Sequence, residues 1–512
     1  MKSKNKLLAL LLCMIFIVSM LLVSCKDETP NESNTNSNAQ SNTESKDVSE
    51  ETSDPEGDKG YLGNGVWGRE MPEFKWDYKQ FRVIVYSRDK QATYFSEEIE
   101  ADLYETTDEK INEAVKRRND QIFDKYNVEI KAVLVDDVIA TIREQLAAAD
   151  PDNADAAMPF FGSTPGMAQE GNFYNLKDFE KGGYIDLSMP WWDQNANSSL
   201  SINNKLYFTT GDMSIMQKIV STSILFNPDM LAKTHPEINL YQEVRDYKWT
   251  MDRYFSLAKE HTFTNGNPDD PMGENWGISG SSGDINAYYI ATGNSLVKKD
   301  NNDLPMFTMN NTEEINAAQK VIDQHAVVSD WGIFAQSLPA DIWVNSLKIF
   351  GDGNALFRPS AYSAVKKLRD YELKYGVLPY PLLNEEQDSY YTPCSAYYAY
   401  AVTIPLSARD PEFSAFMLDV ICAGSRGDLG LATAYYEATL KLKDVADSTE
   451  MLDNYIFNNV VYDLGIIYNF GGVSTLLSGV VADSTKQLTS TIDANKDAID
   501  AAIQKVIEDY DN

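Results

Sequence analysis

The sequence predicts an α/β protein in which strands and helices alternate around a parallel sheet. Three observations carry that expectation. From about Tyr61 onward, short apolar runs and amphipathic helical stretches succeed one another. With 512 residues and 43% hydrophobic content, the chain is long enough for about two or three buried cores. Before Tyr61 the composition is of another kind: an apolar leader, then a tract almost without large apolar side chains.

The leader comes first. Lys2, Lys4 and Lys6 precede an apolar stretch from Leu7 to Val23. A basic start and an apolar middle read as an export signal, with an uncleaved membrane anchor as the alternative. The exit, Leu22-Val23-Ser24-Cys25, favours export as a lipoprotein: small residues lead up to a thiol that can be diacylated. Residues 1–24 are then a signal peptide. Cys25 becomes a lipidated N-terminus, with palmitate-type chains in the outer leaflet. Each buried CH₂ of such a chain contributes about 0.8 kcal/mol, so two or three chains hold firmly. Residues 25–60 are Ser, Thr, Asn, Glu and Asp. They cannot bury enough surface to offset ordering entropy and are expected to form a disordered tether reaching about 30–35 Å.

In the body, "FRVIVYS" (Phe81–Ser87) reads as a buried strand. The stretch from Thr106 reads as a helix, with Thr106 and Glu109 as a capping box and Ile111, Val115, Ile122 and Tyr126 on one face. "VEIKAVLV", "VIATIREQLAAAD" and "ADAAMPFF" (Ala154–Phe161) continue as strand, helix and strand. Further strands are expected at "KLYFTT", "TSILFN", "WGISG", "NALFRP", "YGVLPYP" and "YAYAVTIP". Helices are expected over Met251–His261, Thr312–His325, Ala361–Tyr375 and Asp410–Cys422, and in a mostly helical C-terminal stretch.

Charge and motifs exclude several functions. A net charge of −33 argues against nucleic acid and against docking on anionic lipid through a basic patch. His235, His261 and His325 are scattered, and the four cysteines form no metal spacing, so neither metal nor cofactor is expected. Cys394 and Cys422 could pair or remain free thiols. "GNGVWG" (Gly63–Gly68) has dinucleotide-type glycines but no strand before it. "DPDNAD" (Asp150–Asp155) lacks the glycine and the bidentate glutamate of a calcium loop. No nucleophile elbow occurs, and no acid pair among 77 carboxylates stands out. The aromatic pairs in "MPFFG", "MPWWDQN", "AYYI" and "SAYYAY" are more telling, because sugar rings need flat platforms beside polar groups.

Several longer segments resemble the extracellular solute-binding proteins of family 1, the lipoprotein receptors of ABC sugar importers. They are "AAMPFFGSTPGMAQEGNFYNLKDF", "TSILFNPDMLAK", "YKWTMDRYFSLAK", "YGVLPYPLLNEEQDSYYT" and "YAVTIPLSARDPEFSAFMLDVI". One departure is Trp249-Thr250, where the family order is usually the reverse. The resemblance implies a type II periplasmic-binding-protein fold: two α/β lobes, with ligand in the cleft between them. The lobes would comprise residues 61–215 with 380–426, and 216–379 with 427–512. Hinge crossings would fall near Gly211–Ser221, Pro379–Pro381 and Cys422–Gly427. The implied function is capture of a mono- or oligosaccharide by a monomer anchored on the extracellular face, for delivery to permease subunits. No catalysis is implied.

Carried onto this chain, the resemblance points to Arg88 and Asp89 after the first strand, and to Phe160, Phe161 and Gly162 in an aromatic loop. In the second lobe it points to Ser281 and Asp284, and to Arg358 with Tyr362. Trp192 and Asp212 are added on chemistry and hinge position. A peptide or other polar solute is the alternative ligand. A surface hydrolase, marked by a convergent acid pair, is the alternative class, and an adhesive lipoprotein a third.

Overall fold

The computed structural model describes residues 61–63, 66–67 and 71–511, apart from 90–93, 149–151, 216–217, 219–220, 265–269, 340, 362–363, 428–429, 432 and 435–444. The leader, Cys25, the tether and Tyr362 lie outside the described residues.

Strand β1 (Gln80–Tyr86) is an apolar run with Phe81, Val83, Ile84 and Val85 fully buried, as a strand covered on both faces requires. It lies between β2 (Glu129–Val135) and β3 (Ala156–Ala157), all three parallel. Helices α1 (Glu109–Tyr126) and α2 (Val138–Ala148) make the crossovers. Beyond β3 the layer continues as single antiparallel bridges, Ala157 to Thr403 and Val402 to Thr209.

The second sheet takes β4 (Thr222–Phe226), β5 (Trp276–Gly280), β6 (Gly332–Phe334), β7 (Ala355–Ala361) and β8 (Gly376–Leu378) in the order β6-β5-β7-β4-β8. There β5, β6 and β7 run parallel, and β4 runs against both β7 and β8. Each half thus has three parallel strands in the order 2-1-3. An antiparallel segment follows in each, supplied by chain arriving from the other half. Helices α3 (Met251–Glu260), α4 (Thr312–His325) and α5 (Ile342–Gly351) belong to this second half.

Thr209 still pairs in the first layer and Thr222 in the second, so the chain passes over between them. The return differs from the expected Pro379–Pro381. The Leu382 N–H donates to Trp249 O (3.0 Å) and its carbonyl accepts from Met251 N (2.8 Å), holding it in the second half. The chain comes back at Cys394, which bridges Ser221, and reaches the first layer at Tyr400 beside Phe160. Helix α6 (Pro411–Gly424) then buries Phe413 and Phe416 against Phe74, Trp76 and Tyr126.

The remaining chain was expected to belong with the second lobe, but it touches both halves. Tyr462 donates to Asp193 (2.7 Å), and Tyr207 packs edge-on against Tyr510 of α7 (Leu488–Asp511), whereas Asp463 accepts from Leu296 N (2.7 Å).

Other local expectations change for local reasons. Asp108, not Thr106, caps α1, accepting from Lys110 N at 3.1 Å; Glu109 is itself the first helical residue and cannot close the expected box. Thr250 caps α3, while Trp249 is fully buried and donates its indole N–H to Pro379 O (3.0 Å). "KLYFTT" and "YAYAVTIP" contribute isolated bridges rather than strands. The helix expected over Ala361–Tyr375 is described only at Ala364–Leu368. Cys394 and Cys422 are both free and buried.

Candidate binding site

In a sheet of parallel strands, the carboxyl ends and the loops after them form the natural ligand edge. In the first half that edge is aromatic. Tyr86, the last residue of β1, lies under the half-buried Phe160 ring, with centroids 4.1 Å apart and planes 13° from parallel. Tyr400 supports both rings, at 5.8 Å and 5.4 Å. A second stack, Tyr94 on Tyr398, has centroids 3.7 Å apart. It stands perpendicular to the first: Phe160 and Tyr398 meet at 88° with centroids 5.9 Å apart. The result is a corner made of two stacked pairs.

Backbone bonds fix the corner. Phe161 N donates to Ala399 O and Gly162 N to Ala396 O, both at 2.8 Å. A Cβ on Gly162 would come within 3.2 Å of that Ala396 oxygen, so the close approach favours glycine. The Tyr400 hydroxyl donates to Tyr94 O at 2.6 Å. Tyr397 and Tyr398 remain exposed, at 71% and 37%. Arg88 lies over the Phe95 ring (5.6 Å), takes Tyr104 as acceptor for its backbone N–H, and donates to Thr106 Oγ1; Asp89 is exposed beside it.

In the second half the edge is polar. Ser281 follows β5, and its N–H donates to Asp284 Oδ2 (2.7 Å). Its hydroxyl accepts from Gly283 N (3.1 Å) and Gln336 Nε2 (3.0 Å). Its carbonyl accepts from His325 Nε2 (3.1 Å), which fixes the proton on that nitrogen. Burial pushes His325 down to about 3, so the ring is neutral. Arg358, on β7, donates to Ser346 Oγ (2.6 Å) and Ser279 O (3.3 Å), and burial lowers it to about 10. Asp284 is half-exposed as a residue, but its carboxyl turns inward. Burial pushes it up to about 7, against the pull of its backbone hydrogen bond and the Arg358 charge.

Four of the residues pointed to by sequence are buried or paired within the protein. Phe161 is fully buried, against Phe208 and Tyr462. Trp192 is buried because its indole N–H, like that of Trp191, donates to Asp419 Oδ1 (2.7 and 3.0 Å). Asp212 holds Arg426 (3.0 Å), beside the passage between the halves. Arg358 is 8% exposed and spends its guanidinium on serines, so it shapes the site from beneath. Tyr86, Tyr94, Tyr398, Tyr400 and Gln336 were not singled out from sequence. The repeated tyrosines of "SAYYAY" were the available signal.

Asp284 faces a guanidinium rather than a second carboxylate. Glu98, also pushed up to about 7 by burial, is fully enclosed by its own turn and by Ser96. Among the described residues, no cluster of His, Cys, Asp and Glu could hold a metal ion.

The fold is a two-lobed, periplasmic-binding-protein-like one. A cyclo/maltodextrin-binding protein in complex with maltotetraose matches with a TM-score of 0.54 at 13% identity, over 84% of this chain and 99% of its own. A maltose-binding periplasmic protein from Listeria monocytogenes in complex with maltose matches with 0.54 at 15% identity, over 84% and 99%. An ABC substrate-binding protein from the same organism, in complex with cycloalternan, matches with 0.52 at 13% identity, over 84% and 100%. No protein-family model and no curated protein matches the sequence.

Proposed function

We propose that the chain is a non-enzymatic receptor that captures a carbohydrate between its two halves and delivers it to a membrane permease. The observation that carries this reading is the aromatic corner of Phe160 and Tyr398 at the carboxyl edge of the first sheet. Flat rings match the apolar faces of pyranoses, and the polar edge at Ser281, Asp284 and Gln336 suits hydroxyl groups. The sugars held by structures of the same fold support the same class of ligand. Contacts from both halves would drive hinge closure on the ligand. The outer-leaflet anchor through Cys25 completes the proposal: it keeps the receptor beside its permease.

Calorimetric titration with maltose, maltotetraose, cycloalternan, peptides and polyamines tests the ligand class. Binding of a sugar, weakened about 10-fold or more in Tyr398→Ala, is expected. Binding of peptide alone, or conversion of any sugar during incubation, overturns the reading. Mass spectrometry of the native N-terminus tests the anchor; an unmodified Cys25 or an intact leader refutes it.

A further inference from the structure

Helix α5 begins with its apolar side chains in solvent. Trp343 is 58% exposed and Val344 62%. The other tryptophans with described side chains, residues 76, 191, 192, 249, 276 and 331, are all buried or partly buried. An indole is among the most costly side chains to leave in water, and its exposure in a folded helix calls for a reason.

The position of Trp343 supplies one. Helix α5 ends at Gly351, and a turn feeds β7 at Ala355, so helix and strand run in opposite directions on the same sheet. The first turn of α5 therefore lies at the carboxyl edge of β5 and β7, where the polar cluster stands. Ser346 fixes this placement: its hydroxyl accepts from Arg358 and its carbonyl from Ser279 Oγ (2.9 Å). Trp343 is three residues before Ser346, one turn nearer the edge on a shared face of the helix. The short helix Ala335–Ser337, packed against α5, gives a second tie, through Gln336 to Ser281. The second half thus holds an exposed indole beside buried hydrogen-bonding groups, while the first half holds the aromatic corner.

We propose that Trp343 is the platform of the second half, stacking on the carbohydrate that the Phe160–Tyr398 corner holds from the first. The inference rests on the carbohydrate reading and adds a residue to it. The indole covers the free face of a pyranose when the halves close, and it leaves water in doing so. Trp343 then contributes to affinity for a sugar while contributing little to the stability of the unliganded fold.

The test uses the full chain, titrated with maltose, maltotetraose and cycloalternan by calorimetry and by tryptophan emission. Trp343→Ala is expected to weaken binding about 10-fold or more, and Trp343→Phe to retain affinity within about threefold, with both unliganded melting temperatures unchanged. Saturating sugar should shift the emission of the wild type to the blue, and the shift should be lost in Trp343→Phe. Wild-type affinity in Trp343→Ala, alongside weakened binding in Tyr398→Ala, overturns this inference and leaves the carbohydrate reading standing. A wild type that binds none of these sugars overturns both.

Discussion

At the scale of single residues, buried polar groups carry the sharpest consequences. Asp419 accepts two indole N–H groups in the core, from Trp191 and Trp192. Asp419→Ala strands both donors, each at a desolvation cost of about 1–3 kcal/mol. A loss of about 2–5 kcal/mol in urea unfolding is expected; a loss below about 1 kcal/mol would show that the indoles find other partners. His325 and Asp284 give opposite pH signatures. His325 falls from 6.5 to about 3 on folding, so its contribution is present above pH 6.5 and is lost as pH falls toward 3. Asp284 rises from 3.8 to about 7, so its contribution is present below pH 3.8 and is lost as pH rises through 7. Asp284→Asn removes the second linkage. The melting temperature of the variant minus that of the wild type should grow from pH 5 to pH 8; a difference independent of pH would refute the raised carboxyl.

At the scale of elements, the segments between the sheets matter most. Asp212 pairs with Arg426, joining the passage from the first sheet to the end of α6. The arginine is 42% exposed at its side chain, so solvent screens the pair. Asp212→Asn should cost less than about 1 kcal/mol and leave the preference among sugars unchanged. A changed preference would return Asp212 to the ligand surface. Tyr510 of α7 is fully buried, shares a hydroxyl hydrogen bond with Tyr468 (2.5 Å) and packs on Tyr207. Tyr510→Ala is expected to cost about 3–5 kcal/mol, the range for a large core aromatic. Much of this level was legible in sequence. The apolar runs of β1, β4 and β5 and the period of α4 fix those elements locally. Strand β6 was missed because "GIF" is three residues directly after a helical turn, too short for a period.

At the scale of the whole molecule, the two halves repeat one strand order, and each borrows its antiparallel segment from chain that has just crossed over. The C-terminal chain touches both halves, so the hinge closure proposed above would turn about the bridge between Ser221 and Cys394 while keeping those outer contacts. A bound sugar at 100 times its Kd should stabilise the chain by about 2.7 kcal/mol, read as a rise in melting temperature. Absence of that rise with a sugar that binds by calorimetry would mean that the ligand also engages unfolded chain.

The sequence by itself determined the alternation of strand and helix, the acidic solvated surface and the aromatic loops, because periodicity, charge and ring pairs are local properties of the chain. It also named the loops after β1, β3 and β5, since the carboxyl ends of strands can be read from where apolar runs stop. Only the tertiary structure decided which of these aromatics face solvent. Trp192 and Phe161 go to the core because Asp419, Phe208 and Tyr462 meet them there, and those partners are distant in sequence. Phe160 and Tyr398 form the corner because the returning chain lays residues 396–400 against residues 160–162, a contact between segments more than two hundred residues apart. Burial is set by what the chain brings back from elsewhere, and no local pattern encodes it.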